Sequence, residues 1–343
     1  MIASERYSNI SSRMWQRVAV LFALTPHVIT REGCRVRLAT ISVGEQDVCV
    51  AILKNGKRLD IAKAARGISG SGADALRAGS MQGLIEGGDQ AVAALGRLVA
   101  DAEAGNHADA LAPANAALLA PIPAPRKNVF CVGRNYAEHI AEGDRAQKQD
   151  VGVTRHPVFF SKPITSIVPP GGNILVFPDL SECIDYEVEL AVVIGTAGRN
   201  IAKADAMNHV FGYTILNDIS ARDIQRRHGG QYFKGKGLDG SCPIGPWIET
   251  ADAIADPHAL SIGTRVNGEQ RQDGTTADMI FDIPTLIASL SEGMTLEPGD
   301  IIATGTPSGV GYAMEPPRFL KDGDTVECRI SGIGTLCNTV RAV

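Results

Sequence analysis

The chain has 343 residues, enough for one large domain or two of ordinary size, and its 44% hydrophobic and 21% charged residues are those of a globular protein. A net charge of −5 with no basic stripe excludes a nucleic-acid surface, and no apolar run approaches the ~20 residues that span a bilayer. The seven cysteines form an odd set without a CxxC pair, and most sit beside apolar neighbours. They read as buried free thiols of a reducing compartment, which places the protein in the cytoplasm.

Residues 1–36 read as an N-terminal extension. Val18 to Leu24 is a short apolar stretch after Arg13 and Arg17, but no clean small-residue cleavage site follows it. Arg37 to Ser42 and Asp47 to Lys54 alternate like strands, and Asn55-Gly56 signals a hairpin turn. Residues 71–120 are Ala-rich and favour helix. The joint Pro121-Ile122-Pro123-Ala124-Pro125 then separates a small α+β domain, 37–120, from a main domain, 125–343.

In the main domain strands are predicted at 129–132, 158–160, 187–194, 213–217, 262–266, 301–304, 326–330 and 335–340, with Asn267-Gly268 as another tight turn. Helices are predicted near 202–210, 220–227 and 283–291. Many strands without β-α alternation argue for an α+β fold built on a mixed β-roll or barrel.

The most informative segment is Asp185-Tyr186-Glu187-Val188-Glu189-Leu190. On a strand Glu187 and Glu189 point to the same face, about 6–7 Å apart, and repel each other unless solvent or a cation intervenes. Asn217-Asp218 ends the next apolar strand, and a third carboxylate there would complete an all-oxygen site. Such a set, without Cys or His, suits Mg²⁺, with Mn²⁺ or Ca²⁺ as alternatives. A solvated strand face is the commoner reading of an isolated Glu-x-Glu pair.

Three further segments change that balance: Asn217-Asp218-Ile219-Ser220-Ala221-Arg222-Asp223-Ile224-Gln225, Gly235-Lys236-Gly237-Leu238-Asp239 with Cys242-Pro243-Ile244-Gly245-Pro246, and Thr304-Gly305-Thr306-Pro307-Ser308-Gly309. In this order, with the acidic segment, they resemble the fumarylacetoacetate hydrolase family over roughly 125–340. The resemblance implies a β-roll catalytic domain of that family's C-terminal type, preceded by a variable N-terminal domain, in a homodimer. It implies Glu187, Glu189 and Asp218 as metal ligands and Lys236 as the lysine that stabilises an enolate. It also implies Arg222, Gln225, Thr306 and Tyr136 as substrate-binding groups.

Read on their own, Lys234 rivals Lys236, Arg222 could instead pair with Asp223 or Asp218, and Thr306 could belong to a plain tight turn. His139 and Glu142, three residues apart on a short predicted helix, would touch, and a carboxylate on imidazole makes it a better base. The pair resembles the His–Glu dyad that acylpyruvase-like members carry on a mobile lid, here about 140–156. Arg134-Asn135 stands near the point where larger fumarylacetoacetases carry an extra aspartate ligand, which favours the acylpyruvate or oxaloacetate branch. The expected activity is therefore Mg²⁺-dependent hydrolysis of a C–C bond in a small anionic 1,3-diketo acid. The alternative is a decarboxylase or isomerase acting on oxaloacetate or an unsaturated 2-oxo dioate through an enolate.

Overall fold

The computed structural model describes residues 35–343. The expected extension 1–36, with its apolar stretch, lies outside them except for its last two residues. Among the described residues the strands form three sheets. The largest, of ten strands, is ordered Arg58–Asp60, Gln46–Ile52, Arg37–Val43, Cys242–Thr250, Val210–Asn217, Val188–Ile194, Ile301–Ala303, Val129–Gly133 and Val158–Lys162, with Ile167–Val168 pairing Cys242–Thr250 off this path. Its two ends do not meet. The fold is thus α+β with large mixed sheets, as expected, but the sheet is open and not a closed barrel.

The N-terminal segment is built into that sheet: Arg37 pairs with Glu249 and Leu38 with Ile248. The central strand Val188–Ile194 is buried at every position because both faces are covered. Val188, Leu190, Val192 and Ile194 pack with Ile262, Val326, Ile330 and Leu336 of the five-stranded sheet. Ala191 and Val193 face the other way, in a cluster with Leu95 and Leu98. Those leucines lie on the helix Gly88–Glu103, whose buried residues recur at helical spacing. Alternation along one strand therefore fixes which side meets a sheet and which meets helices.

Most predicted strands lie where the structure places them, and the Asn267-Gly268 turn has both residues at positive φ. Cys242–Thr250 was not predicted. Its Gly245-Pro246 reads as a breaker, yet it sits where the register against Val210–Asn217 shifts, the kind of irregularity that accommodates a proline in a sheet. The helix expected at 202–210 is a 3₁₀ segment, Lys203–His209, with only Ala206 buried and so no apolar face to hold a longer helix. Part of the expected polar lid is ordered: the helix Ala137–Gln147 runs well past Gly143. All six described cysteines are free thiols, four of them buried. No helix among these residues is long and apolar enough to cross a membrane.

One buried amide anchors the end of the strand Val129–Gly133. Asn135 is fully buried, its Nδ2 donates to the carbonyls of Thr304 (2.8 Å) and Phe281 (3.0 Å), and its Oδ1 accepts from the Phe281 N–H (2.7 Å). Asn135→Ala is expected to destabilise the protein by about 1–3 kcal/mol for each buried group left unpaired. Urea denaturation measures this, and an unchanged midpoint with an unchanged slope would refute the clamp.

Candidate metal centre and active site

The acidic cluster follows from strand pairing. In the antiparallel ladder Glu189 stands opposite Leu216 and Val188 opposite Asn217, so Asp218 emerges beside Glu187. The Asp218 N–H donates to the Glu187 carbonyl (2.8 Å), and the Glu187 N–H donates to Asn217 Oδ1 (3.0 Å). Glu187, just before the strand, and Glu189, on it, share one face. Each of Glu187, Glu189 and Asp218 offers a carboxylate oxygen within 4.8 Å of the others, and all three residues are buried.

Three cations surround them. Lys236 Nζ lies 2.7 Å from both Glu187 Oε2 and Asp218 Oδ2. Lys162, fully buried, donates to Asp218 Oδ1 (2.8 Å), to the Ile219 carbonyl (3.0 Å) and to the Lys236 carbonyl. Arg222 pairs with Glu187 Oε1 (2.7 Å) and Asp185 Oδ2 (2.9 Å), so neither Asp218 nor Asp223 is its partner. Lys162 escaped the sequence reading. The available signal was a lysine continuing the face of Val158 and Phe160 on an apolar strand.

Asp185, Glu187, Glu189 and Asp218 are four buried carboxyl groups facing three cations, Lys162, Lys236 and Arg222. Burial alone would raise the Glu187 carboxyl, but Lys236 and Arg222 outweigh it and hold Glu187 well below the usual carboxylate range. Glu189 makes no ion pair among the described residues and accepts only the Gly305 N–H (2.7 Å). Burial, then Asp218 and Glu187, push its carboxyl far up. Burial favours a neutral Lys236, yet Asp218 and Glu187 overcome that and keep it an ammonium. An oxygen-only set of three buried carboxyl groups, one of which no side-chain cation answers, fits a hard divalent cation.

The loop 304–312 is fastened to the same cluster. Asp185 Oδ1 accepts the Gly311 N–H (2.7 Å) and its Oδ2 the Tyr312 N–H (3.1 Å). The Tyr312 ring lies under the Arg222 guanidinium, 4.3 Å from ring centroid to Cζ. Gln272 donates to Thr306 Oγ1 (2.7 Å) while accepting from the Val188 N–H (3.0 Å). The Thr306 hydroxyl therefore keeps its own proton to donate.

Against this loop docks the helix Ala137–Gln147. His139 Nδ1 is 2.9 Å from Glu142 Oε1, and Glu142 Oε2 accepts the Gly309 N–H (2.9 Å). A Cβ on Gly143 would fall 2.5 Å from the Tyr312 hydroxyl, so only glycine permits this approach.

Between helix and carboxylates lies a cavity of about 250 Å³, lined by His139, Glu187, Glu189, Lys236, Thr306 and Gln225 among others. Arg222 also reaches it. Asp218 lies fully buried behind the lining. Tyr136 is buried away from the lining, with a hydroxyl that has no hydrogen-bond partner. Asn135, committed to backbone, brings no fourth carboxylate.

A family model described as the fumarylacetoacetate (FAA) hydrolase C-terminal domain matches residues 128–341. Oxaloacetate tautomerase YisK of Bacillus subtilis is 50% identical over 223 residues, which is 65% of this chain and 72% of that protein. The mitochondrial oxaloacetate tautomerase FAHD2A of Homo sapiens is 49% identical over 223 residues, 65% and 68% of the two chains. Among solved structures, a fumarylacetoacetate hydrolase from the psychrophile Exiguobacterium antarcticum superposes with a TM-score of 0.71 at 39% identity, covering 90% of this chain and all of the other.

The charge arrangement sets two opposite expectations for thermal unfolding in excess chelator. Glu187→Gln breaks two buried pairs and should cost about 3 kcal/mol or more, several degrees in Tm. Glu189→Gln replaces a buried carboxyl that has no cationic partner by a neutral amide and should leave Tm unchanged or raise it. Equal losses in the two variants would overturn this charge assignment.

Proposed function

This chain belongs to the fumarylacetoacetate hydrolase family, and from that premise we propose that its site interconverts the keto and enol forms of a small 2-oxo dioate of the oxaloacetate type. The sequence-level expectation of a C–C hydrolase gives way to its alternative, which relatives named oxaloacetate tautomerases at 49–50% identity support better.

One observation carries the reading at the level of chemistry. Lys162, Lys236 and Arg222 at the cluster are held as cations by carboxylates, and Glu187, Glu189 and Asp218 are assigned to the metal. His139, its Nδ1 fixed by Glu142, is the lining side chain free to carry a proton in both directions. Tautomerisation asks for no more: a proton leaves the enol oxygen and one is added at C3, or the reverse. From keto to enol, neutral His139 Nε2 takes the C3 proton and, as imidazolium, hands it to the enolate oxygen; from enol to keto it takes the enol O–H proton and delivers it to C3, ending neutral in both directions. The Glu142 carboxylate stabilises the charged form.

Glu187, Glu189 and Asp218 would hold the metal, with Mg²⁺ favoured and Mn²⁺ or Ca²⁺ as alternatives, and the ion when bound supplies Lewis acidity toward the 2-oxo group. Lys236 contributes a fixed positive charge where negative charge develops on the substrate oxygen. Thr306 Oγ1–H and the Gln225 amide donate to the adjacent carboxylate. The docked helix Ala137–Gln147 keeps bulk water from the reacting carbon. The volume of about 250 Å³, at the small end for ligand pockets, suits a short dioate.

Cleavage of a diketo acid is the second reading, kept in view by the likeness to a fumarylacetoacetate hydrolase. It requires in addition a water held on His139. Decay of the enol absorbance of oxaloacetate separates the two when an acylpyruvate is assayed for cleavage on the same preparation. Wild type should accelerate enol decay well above the buffer rate, and His139→Ala should lower that acceleration on the order of 10²–10⁴-fold. Glu142→Gln should lower it less. Acylpyruvate cleavage without enol decay would reject the tautomerase reading. His139→Ala as fast as wild type would reject His139 as the proton carrier.

A further inference from the structure

Among the described residues four permanent cations line the cavity: Arg134, Arg222, Arg226 and Lys236. Three are already matched. Lys236 faces Glu187 and Asp218, Arg222 faces Asp185 and Glu187, and Arg134 lies 3.2 Å from Asp144 Oδ1 and donates to the Gly152 carbonyl (2.9 Å). Arg226 makes no ion pair. It lies on the short helix Arg222–Arg227, one turn beyond Arg222 and beside Gln225, so the three share a face. Its guanidinium carbon is 5.9 Å from the centroid of the same Tyr312 ring that Arg222 covers at 4.3 Å. The aromatic ring stabilises the cation without neutralising it.

We propose that Arg226 is the specificity-determining group for the second carboxylate of the substrate. This rests on the 2-oxo dioate reading above and adds the residue that selects a dioate over a monoacid. A substrate whose 2-oxo acid end lies among the metal ligands, Lys236 and Thr306 presents its far carboxylate away from the buried cluster. Arg226 lies one helical turn beyond Arg222, about 6 Å along the axis, and is exposed where Arg222 is buried, so it stands at the outer end of the cavity. Arg226 is exposed, so its guanidinium swings toward an arriving anion without breaking an existing pair. A planar fork on carboxylate also rejects uncharged tails, which leave it unpaired.

The test compares malate with lactate, which differ by one carboxylate, as ligands of the Mg²⁺-loaded full chain in calorimetry. Wild type should bind malate more tightly. Arg226→Gln should weaken malate on the order of 10–100-fold, to near the affinity of lactate, and leave lactate unchanged. Arg226→Lys should fall between, and Arg227→Gln, next in sequence but not lining the cavity, should match wild type. Equal affinities of wild type for the two acids, or malate binding unchanged in Arg226→Gln, would overturn the assignment. Because affinity alone is read, the subsite stands or falls independently of the enol assay.

Discussion

Four carboxylates buried in one corner of a β-sheet must be neutralised, and the active region is built around that requirement. Asp185, Glu187, Glu189 and Asp218 repel one another in a medium where an unpaired charge is costly. Lys162 and Lys236 meet Asp218, Lys236 and Arg222 meet Glu187, and Arg222 also meets Asp185. The same carboxylates clip backbone: Asp185 takes Gly311 and Tyr312, and Glu189 takes Gly305. The charge cluster thus sets the course of the loop 304–312, and that loop in turn receives the helix bearing His139 through Glu142 and Gly309. The acidic triad, Thr306 and the His139–Glu142 pair are parts of one continuous network.

Much of this was legible in sequence where the information is local. Glu187 and Glu189 fall on one face because strands alternate, and His139 reaches Glu142 because residues three apart on a helix are neighbours. What escaped is long-range. Lys162 meets Asp218 across 56 residues, and Asn135 meets Phe281 across 146. Gln272, which joins Val188 to Thr306, carries no local signal that would single it out. The strand Cys242–Thr250 was hidden by a proline that the register irregularity accommodates. The polar stretch after Gly143 lacked apolar periodicity, yet Asp144 takes Arg134 and the Gly152 N–H and so ties that segment to the helix.

The network also separates charges that must stay from protons that must move. Lys236 and Arg222 are cations of fixed sign because each faces two carboxylates. In the proposed reaction His139, held at one nitrogen by Glu142, would supply the mobile proton. A site divided this way suits proton transfer beside a developing oxyanion. The proposed reaction class rests on that division more than on any one residue.

The cluster holds one carboxyl, Glu189, that no side-chain cation answers, and the proposed reaction needs a divalent cation bound beside it. Calorimetric titration of Mg²⁺, and of Mn²⁺ as a second probe, into chelator-treated protein tests this most directly. The account expects one ion per chain in wild type and no binding in Glu189→Gln, the variant that removes the unanswered carboxyl. Absence of binding in wild type, or an unchanged isotherm in Glu189→Gln, would contradict it.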